Sequence, residues 1–191
     1  MQGRKETEHA GHVHAVQFYQ DESSLTRIVA GFLAEGFAGG HPAVVIATPE
    51  HRHAIEVSLR ARGIDIDMLT RVGDLAMLDA RGTLAQFMVD GMPHANAFEH
   101  VSGQVIDQLC RGRRDCTVRA YGEMVNVLWK DGLSSAAIRL ETLWNELANN
   151  HEFKLLCGYS MGNFYKGAAI DEIKGVHSHL VEETGETAAI N

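Results

Sequence analysis

A chain of 191 residues amounts to one domain, at roughly 150 residues per domain, and is long enough to bury a core that needs no disulfide or structural metal. Its 45% hydrophobic and 22% charged residues, with only 3 prolines, exclude disordered, collagen-like and low-complexity classes. The net charge of -8, from 17 basic and 25 acidic residues, argues against a phosphate-backbone binder, so no direct contact with nucleic acid is expected.

The cysteines Cys110, Cys116 and Cys157 are odd in number and lack C-x-x-C spacing, which reads as three reduced thiols in a cytoplasmic protein. The first residues, MQGRKETEHAGHVH, have no apolar signal core, and no apolar run approaches the ~18 residues of a membrane span.

Residues 13–19 alternate as a strand, and Asp21 then offers a carboxylate to the free N–H groups of a helix. That helix carries Leu25, Ile28, Val29, Phe32 and Leu33 on one face, with Gly36 expected to end it in a left-handed cap. Residues 42–47 form an apolar run suited to a strand buried on both faces. Thr48 and Pro49 then read as cap and first turn of a helix reaching Arg62, with Gly63 as its stop. Residues 64–69 and 75–78 are short strand candidates, and 82–89 a weak helix ended by Pro93. Asn96 and Glu99 resemble a capping box opening a helix with Phe98, Val101, Val105 and Leu109 inward, closed at Gly112. A strand at 116–121 follows. Helices at 124–129 and 137–147 are split by Asp131 and Gly132, the second with Ala137, Leu140, Trp144 and Leu147 in one stripe, and a strand at 153–159 comes last. From Gly175 the chain is polar and is expected to leave the core and be mobile at its end. Alternating strands and helices, with strands too apolar for a wet face, predict an α/β fold in three layers, a mostly parallel sheet with helices on both faces.

In such a sheet the ligand crevice lies at the strands' carboxyl ends. The residues there, Tyr19, Asp21, Thr48, Tyr121, Glu123 and Tyr159, together with Arg119, are the candidate ligand site. Capping alone is the favoured account of Asp21 and Thr48, and an ion pair with Arg119 accounts for Glu123 as well as a ligand does. A phosphate loop is excluded, because QFYQDESSLT holds neither glycine nor lysine and places two acids where phosphate would sit. Gly158-Tyr159-Ser160-Met161-Gly162 spells a nucleophile elbow. Its partners would have to be Asp171 or Glu172 with His177 or His179, in a tail without a clear strand, so a serine hydrolase using Ser160 is the weakest reading. Three H-x-H pairs, 12/14, 51/53 and 177/179, lack a third ligand at metal-site spacing; His51 and His53 fall on a helix that splays them apart, and no metal or cofactor is assigned. Glu141 and Asn145, four apart on one helix, are given structural work toward a neighbouring loop or Arg119.

HAVQFYQDE, RAYGEMVNVLWKDG, AIRLETLWNEL, FKLLCGYSMGNF and HSHL together resemble the MEDS sensory domain over residues 12–181, leaving 1–11 and 182–191 as expected mobile tails. The resemblance implies a RecA/KaiC-like core with a degenerate phosphate loop. It implies a non-enzymatic sensory or regulatory role, with a small organic ligand such as a hydrocarbon derivative and no cofactor. It also implies a separate signalling partner such as a histidine kinase or transcription regulator, with a homodimer left open. Family members commonly carry alanine or proline where this chain has Ser160. The alternative is a degenerate KaiC-like nucleotide-binding protein.

Overall fold

The computed structural model describes residues 13–163, 168–182 and 184–190. The elements run β1 (His14–Tyr19), α1 (Glu22–Ala38), β2 (Ala43–Ala47), α2 (Pro49–Ala61), α3 (Ile66–Val72), β3 (Leu75–Asp79) and α4 (Ala80–Leu84). After the hairpin β4 (Met88–Val89) and β5 (Met92–Pro93) come α5 (Ala95–Cys110), β6 (Val118–Gly122), α6 (Met124–Lys130), α7 (Ser134–Leu147) and β7 (Phe153–Ser160). The chain continues through a single 3-10 turn (Met161–Asn163) to α8 (Ala168–Gly175), β8 (His179–Val181) and β9 (Thr187–Ala189). None of the described helices is long and apolar enough to cross a membrane.

Seven strands form one sheet in the order β3-β2-β6-β7-β1-β8-β9, parallel throughout except for β9, which returns antiparallel to β8. β2 is wholly buried, as its unbroken Ala-Val-Val-Ile-Ala sequence requires of a strand covered on both faces. The pleat divides the core in two. One side packs Leu25, Val29 and Leu33 of α1 with Ile55 and Leu59 of α2 against Ala15, Val45 and Tyr121. The other packs α4 to α7 against Val16, Ala120 and Leu155, with Phe87, Phe98, Trp144 and Phe153 joined edge to face at centroid distances of 5.3, 5.0 and 5.7 Å.

Several expectations are corrected. Gly36 lies inside α1, which runs on to Ala38 with Gly39 as its cap. The glycine is needed for close approach: a Cβ there would stand 2.4 Å from Cγ of Arg119 on the sheet below. Residues 66–72 are helical because the Asp65 carboxylate accepts the Met68 N–H and Gly73, at φ 81°, supplies the left-handed stop. The weak helix at 82–89 is instead the end of α4 followed by the β4–β5 hairpin, turned by Asp90 and Gly91 at φ 49° and 78°. Asp-Gly is a signal for a two-residue turn of that kind. Helix α5 begins two residues early, with His94 as its uncapped N-cap rather than an Asn96 box, and it buries Ser102 and Ile106 beside Phe98 and Leu109.

The described residues after Gly175 return to the sheet, with β9 exposed at its edge. Ser178 binds the β1 backbone, its N–H and hydroxyl both donating to the His14 carbonyl, and β8 and β9 extend the sheet through residue 189, inside the stretch expected to be a mobile tail. Of the other expected tail, residues 1–11, nothing falls within the described residues. Cys110 and Cys116 are not both reduced thiols: the turn after α5 brings their Cα atoms to 5.6 Å and they form a disulfide. Cys157 is the free cysteine, and it is buried.

Candidate functional site

The carboxyl ends of β1, β2 and β6 converge on Glu123, which is 1% exposed. Its carboxylate accepts the Thr48 N–H at 2.7 Å, bonds Nδ1 of His51 from α2 and lies 3.4 Å from the Tyr121 hydroxyl. Thr48 therefore contributes its backbone to this acid, while its side chain makes no capping bond. The Tyr19 ring meets His51 edge-on at 6.2 Å, and its hydroxyl accepts from Asn126 at 3.2 Å, whose carbonyl takes the Ser160 N–H. Burial, then the charges of Glu123 and Glu22, push the Tyr19 phenol up. Burial also favours a neutral Glu123, but His51 and Thr48 outweigh it and hold the carboxyl below its ordinary value. Glu123 is thus satisfied by His51 and Thr48, and not by Arg119.

The remaining candidates are elsewhere. Asp21 is exposed and caps α1, accepting the Ser24 N–H at 2.8 Å. Tyr159 follows Tyr121 in kind but not in parity: it points to the opposite face, where its hydroxyl donates to Glu141 at 2.8 Å. Arg119 shares the Tyr121 face near the amino end of β6, 3.7 Å from Glu35 and over the Phe32 ring at 4.9 Å. Ser160 is no exposed elbow. Gly158 beside it makes room for Tyr121, since a Cβ would lie 2.9 Å from that hydroxyl, and His177 and His179 direct Nδ1 to Ile173 O and to Ser178 Oγ.

Two features were not read from the sequence. The first is a cavity of about 600 Å³ between α1 and the amino-terminal halves of β1, β6 and β7, walled on one side by the β8–β9 hairpin. Arg27, Arg62, Arg119 and Lys154 line it against the single carboxylate of Glu35, over an apolar floor that includes Ile28, Phe32, Leu156 and Val181. The second is a buried cluster on the other face, where Glu141 of α7 meets His14 Nε2 at 3.1 Å, His177 Nε2 at 3.3 Å and Cys157 Sγ at 3.3 Å. These four residues hold the one described set of His, Cys and carboxylate donors close enough together to share an ion. Glu141 does not reach Arg119, but Asn145 does bind a neighbouring loop, donating to Val176 O at 2.9 Å.

Comparison with known proteins now bears on this geometry. The family model of MEDS, the MEthanogen/methylotroph, DcmR Sensory domain, matches residues 13–178. The chain belongs to the MEDS family. No curated protein matches the sequence of this MEDS domain. Among solved structures it is similar to a KaiC-like protein of Pyrococcus horikoshii OT3, with 12% identity and a TM-score of 0.58, over 89% of this chain and 73% of the other. That likeness shows the fold alone, a KaiC-like α/β architecture.

In the MEDS domain the turn between β1 and α1 carries Gln20 and Asp21, and the helix N-terminus that would meet a phosphate is filled by the Asp21 carboxylate. The cavity eluded sequence reading because its cations come from α1, the residue after α2, β6 and β7, with no spacing to link them. The buried cluster had one signal: His14 and His177 each come from an H-x-H pair. The partners that matter lie across elements and not within the pairs. His51 and His53 do splay apart, one buried and one exposed, and His12 lies outside the described residues.

Proposed function

We propose that this MEDS domain is a non-catalytic sensor whose ligand is a small organic anion with an apolar body, held in the cavity beneath α1. One observation carries the reading. In a chain of net charge -8, four cationic side chains and one carboxylate surround a cavity of about 600 Å³ over an apolar floor. That volume is within the ordinary range for small-molecule sites, which combine apolar walls with a few placed polar groups. Arg119 is the anchor: it is held by Glu35 and Phe32, and a guanidinium presents a rigid fork that matches a carboxylate. The cavity joins α1 to the β8–β9 hairpin, so a ligand there changes how the sheet edge sits. A partner signalling protein, such as a histidine kinase or a transcription regulator, reads that change.

The experiment is a thermal-shift series with straight-chain carboxylates of increasing length, each paired with the alcohol and amine of the same length. A ligand at about 100 times its Kd should stabilise the fold by about 2.7 kcal/mol. Carboxylates are expected to raise Tm and the matched alcohols and amines to leave it unchanged, with Arg119→Gln abolishing the shift. Equal shifts with alcohols, or a carboxylate shift that survives Arg119→Gln, would contradict this site. A shift with Mg²⁺ and ATP that Glu123→Gln removes would favour the strand carboxyl ends and a nucleotide.

A further inference from the structure

We propose that His14, Glu141, Cys157 and His177 form a binding site for a divalent transition metal, with zinc the ion best suited to the donor set. The site lies on the α7 face of the sheet, apart from the cavity, and is built from β1, α7, β7 and the segment joining α8 to β8.

Hydrogen bonds around the rim fix which atoms face inward. His177 Nδ1 is 2.7 Å from the Ile173 carbonyl, which can only accept, so that nitrogen carries the proton and Nε2 is left toward Glu141. His14 is set by a relay. Asn145 donates its amide N–H to Val176 O, so its carbonyl oxygen is the atom turned to His14 Nδ1, 2.8 Å away. His14 Nδ1 must then be the donor, and its Nε2 also faces Glu141. The Nε2 atoms of both imidazoles thus face one carboxylate that is fully buried. The His177 Nε2 makes no hydrogen bond.

A dication suits this arrangement and replaces any proton on the two Nε2 atoms, which leaves to solvent. It accepts both Nε2 lone pairs and the carboxylate, and it draws the Cys157 thiol proton off to solvent as the thiolate binds. Carboxylate and thiolate together carry two negative charges, which the ion cancels, so the occupied site is neutral in a dry interior. The spacing suits it. Donors on a tetrahedral zinc with bonds of about 2.0–2.3 Å stand roughly 3.3–3.8 Å apart. Here His14 Nε2 and Cys157 Sγ stand 3.1 Å and 3.3 Å from Glu141 Oε2 and 3.5 Å from each other, His177 Nε2 stands 3.3 Å from Glu141 Oε1, and the four donors all lie within 4.8 Å of one another. Each imidazole also has its outer N–H on an oxygen acceptor, and Tyr159 donates to Glu141, the outer-shell support that orients metal ligands. The mixed nitrogen, oxygen and sulfur set excludes magnesium and calcium, which take oxygen.

Cobalt(II) is the probe, because a thiolate bound to tetrahedral cobalt gives a charge-transfer absorption alongside intense visible bands. The intact chain is stripped with a chelator and titrated without reductant, so that the Cys110–Cys116 disulfide persists and Cys157 is the thiol that remains. The expected result is one cobalt per chain with the charge-transfer band, displaced by one equivalent of zinc. Cys157→Ser should remove that band, and Asn145→Ala, which frees the His14 ring, should weaken binding at least about tenfold. Should Cys157→Ser not fold, as read by circular dichroism, the wild-type spectrum and a His177→Gln titration, with affinity again at least about tenfold weaker, decide the matter. Folded wild-type protein that takes up no cobalt, or binds it without thiolate absorption, would overturn the proposal.

Discussion

Replacing Glu141 by alanine is expected to lower folding stability by about 3–5 kcal/mol, the range found when one member of a buried charged group is removed and its partners stay behind. Glu141 is fully buried and receives Tyr159 at 2.8 Å and Cys157 at 3.3 Å, with His14 and His177 on its remaining sides. Burial works against its charge, but the two histidines outweigh that and hold its carboxyl well below the usual carboxylate range. Removing it strands a phenol, a thiol and two imidazoles in the core between α7 and the sheet. Urea unfolding measures the loss as a lower midpoint at unchanged slope. A loss under about 1 kcal/mol, the size of an ordinary hydrogen bond, would show that these groups do not depend on Glu141.

The His51–Glu123 pair is expected to give stability a maximum in mildly acidic solution. The bond to Glu123 raises the His51 imidazole above its ordinary 6.5, against the opposing effect of burial, while Glu123 is held below its ordinary 4.5. A raised histidine contributes stability that is complete below the unfolded value and is lost as pH rises through the folded one. A depressed carboxylate contributes above its unfolded value and loses it as pH falls. The pair therefore stabilises most between about pH 4.5 and 6.5 and weakens on either side. The neighbouring charges are included in this sign: Glu22 on α1, 3.8 Å from His51, supports the imidazolium, and Lys130 at the end of α6 opposes it. Glu123→Gln should cost about 3–5 kcal/mol inside that window, because it leaves a buried imidazolium beside Tyr19 and Tyr121, and less above it. Melting curves of both proteins from pH 4 to 9 test this, and a difference that does not change with pH would refute it.

Much of the fold was legible because its signals are local. The Val-Ile run of β2, the Asp21 cap, the Gly63 and Gly112 stops and the Ala137-Leu140-Trp144-Leu147 stripe each act within a few residues, and the structure repeats them. The misreadings arose where a residue answers to something distant. Gly36 looks like a helix stop but is small because Arg119 passes beneath it, and Gly158 looks like part of an elbow but is small because Tyr121 does. The tail reads as polar and loose, yet Ser178 and His177 bind His14 and Glu141, more than 160 and 30 residues away in sequence. The candidate site divided for a similar reason. Strand parity sends Tyr121 and Tyr159 to opposite faces, and which face each strand end presents depends on a register that spacing does not reveal.

The central claim, that this sensory domain holds a small organic anion beneath α1, is tested most directly by a crystal structure of the protein with the carboxylate that gives the largest thermal shift. The account predicts difference density for the carboxylate on Arg119, with the alkyl chain over Phe32 and Leu156 and the bound compound chemically unchanged. Density instead beside Glu123 and Tyr19 at the strand carboxyl ends, or a cavity left empty at saturating ligand, would contradict it.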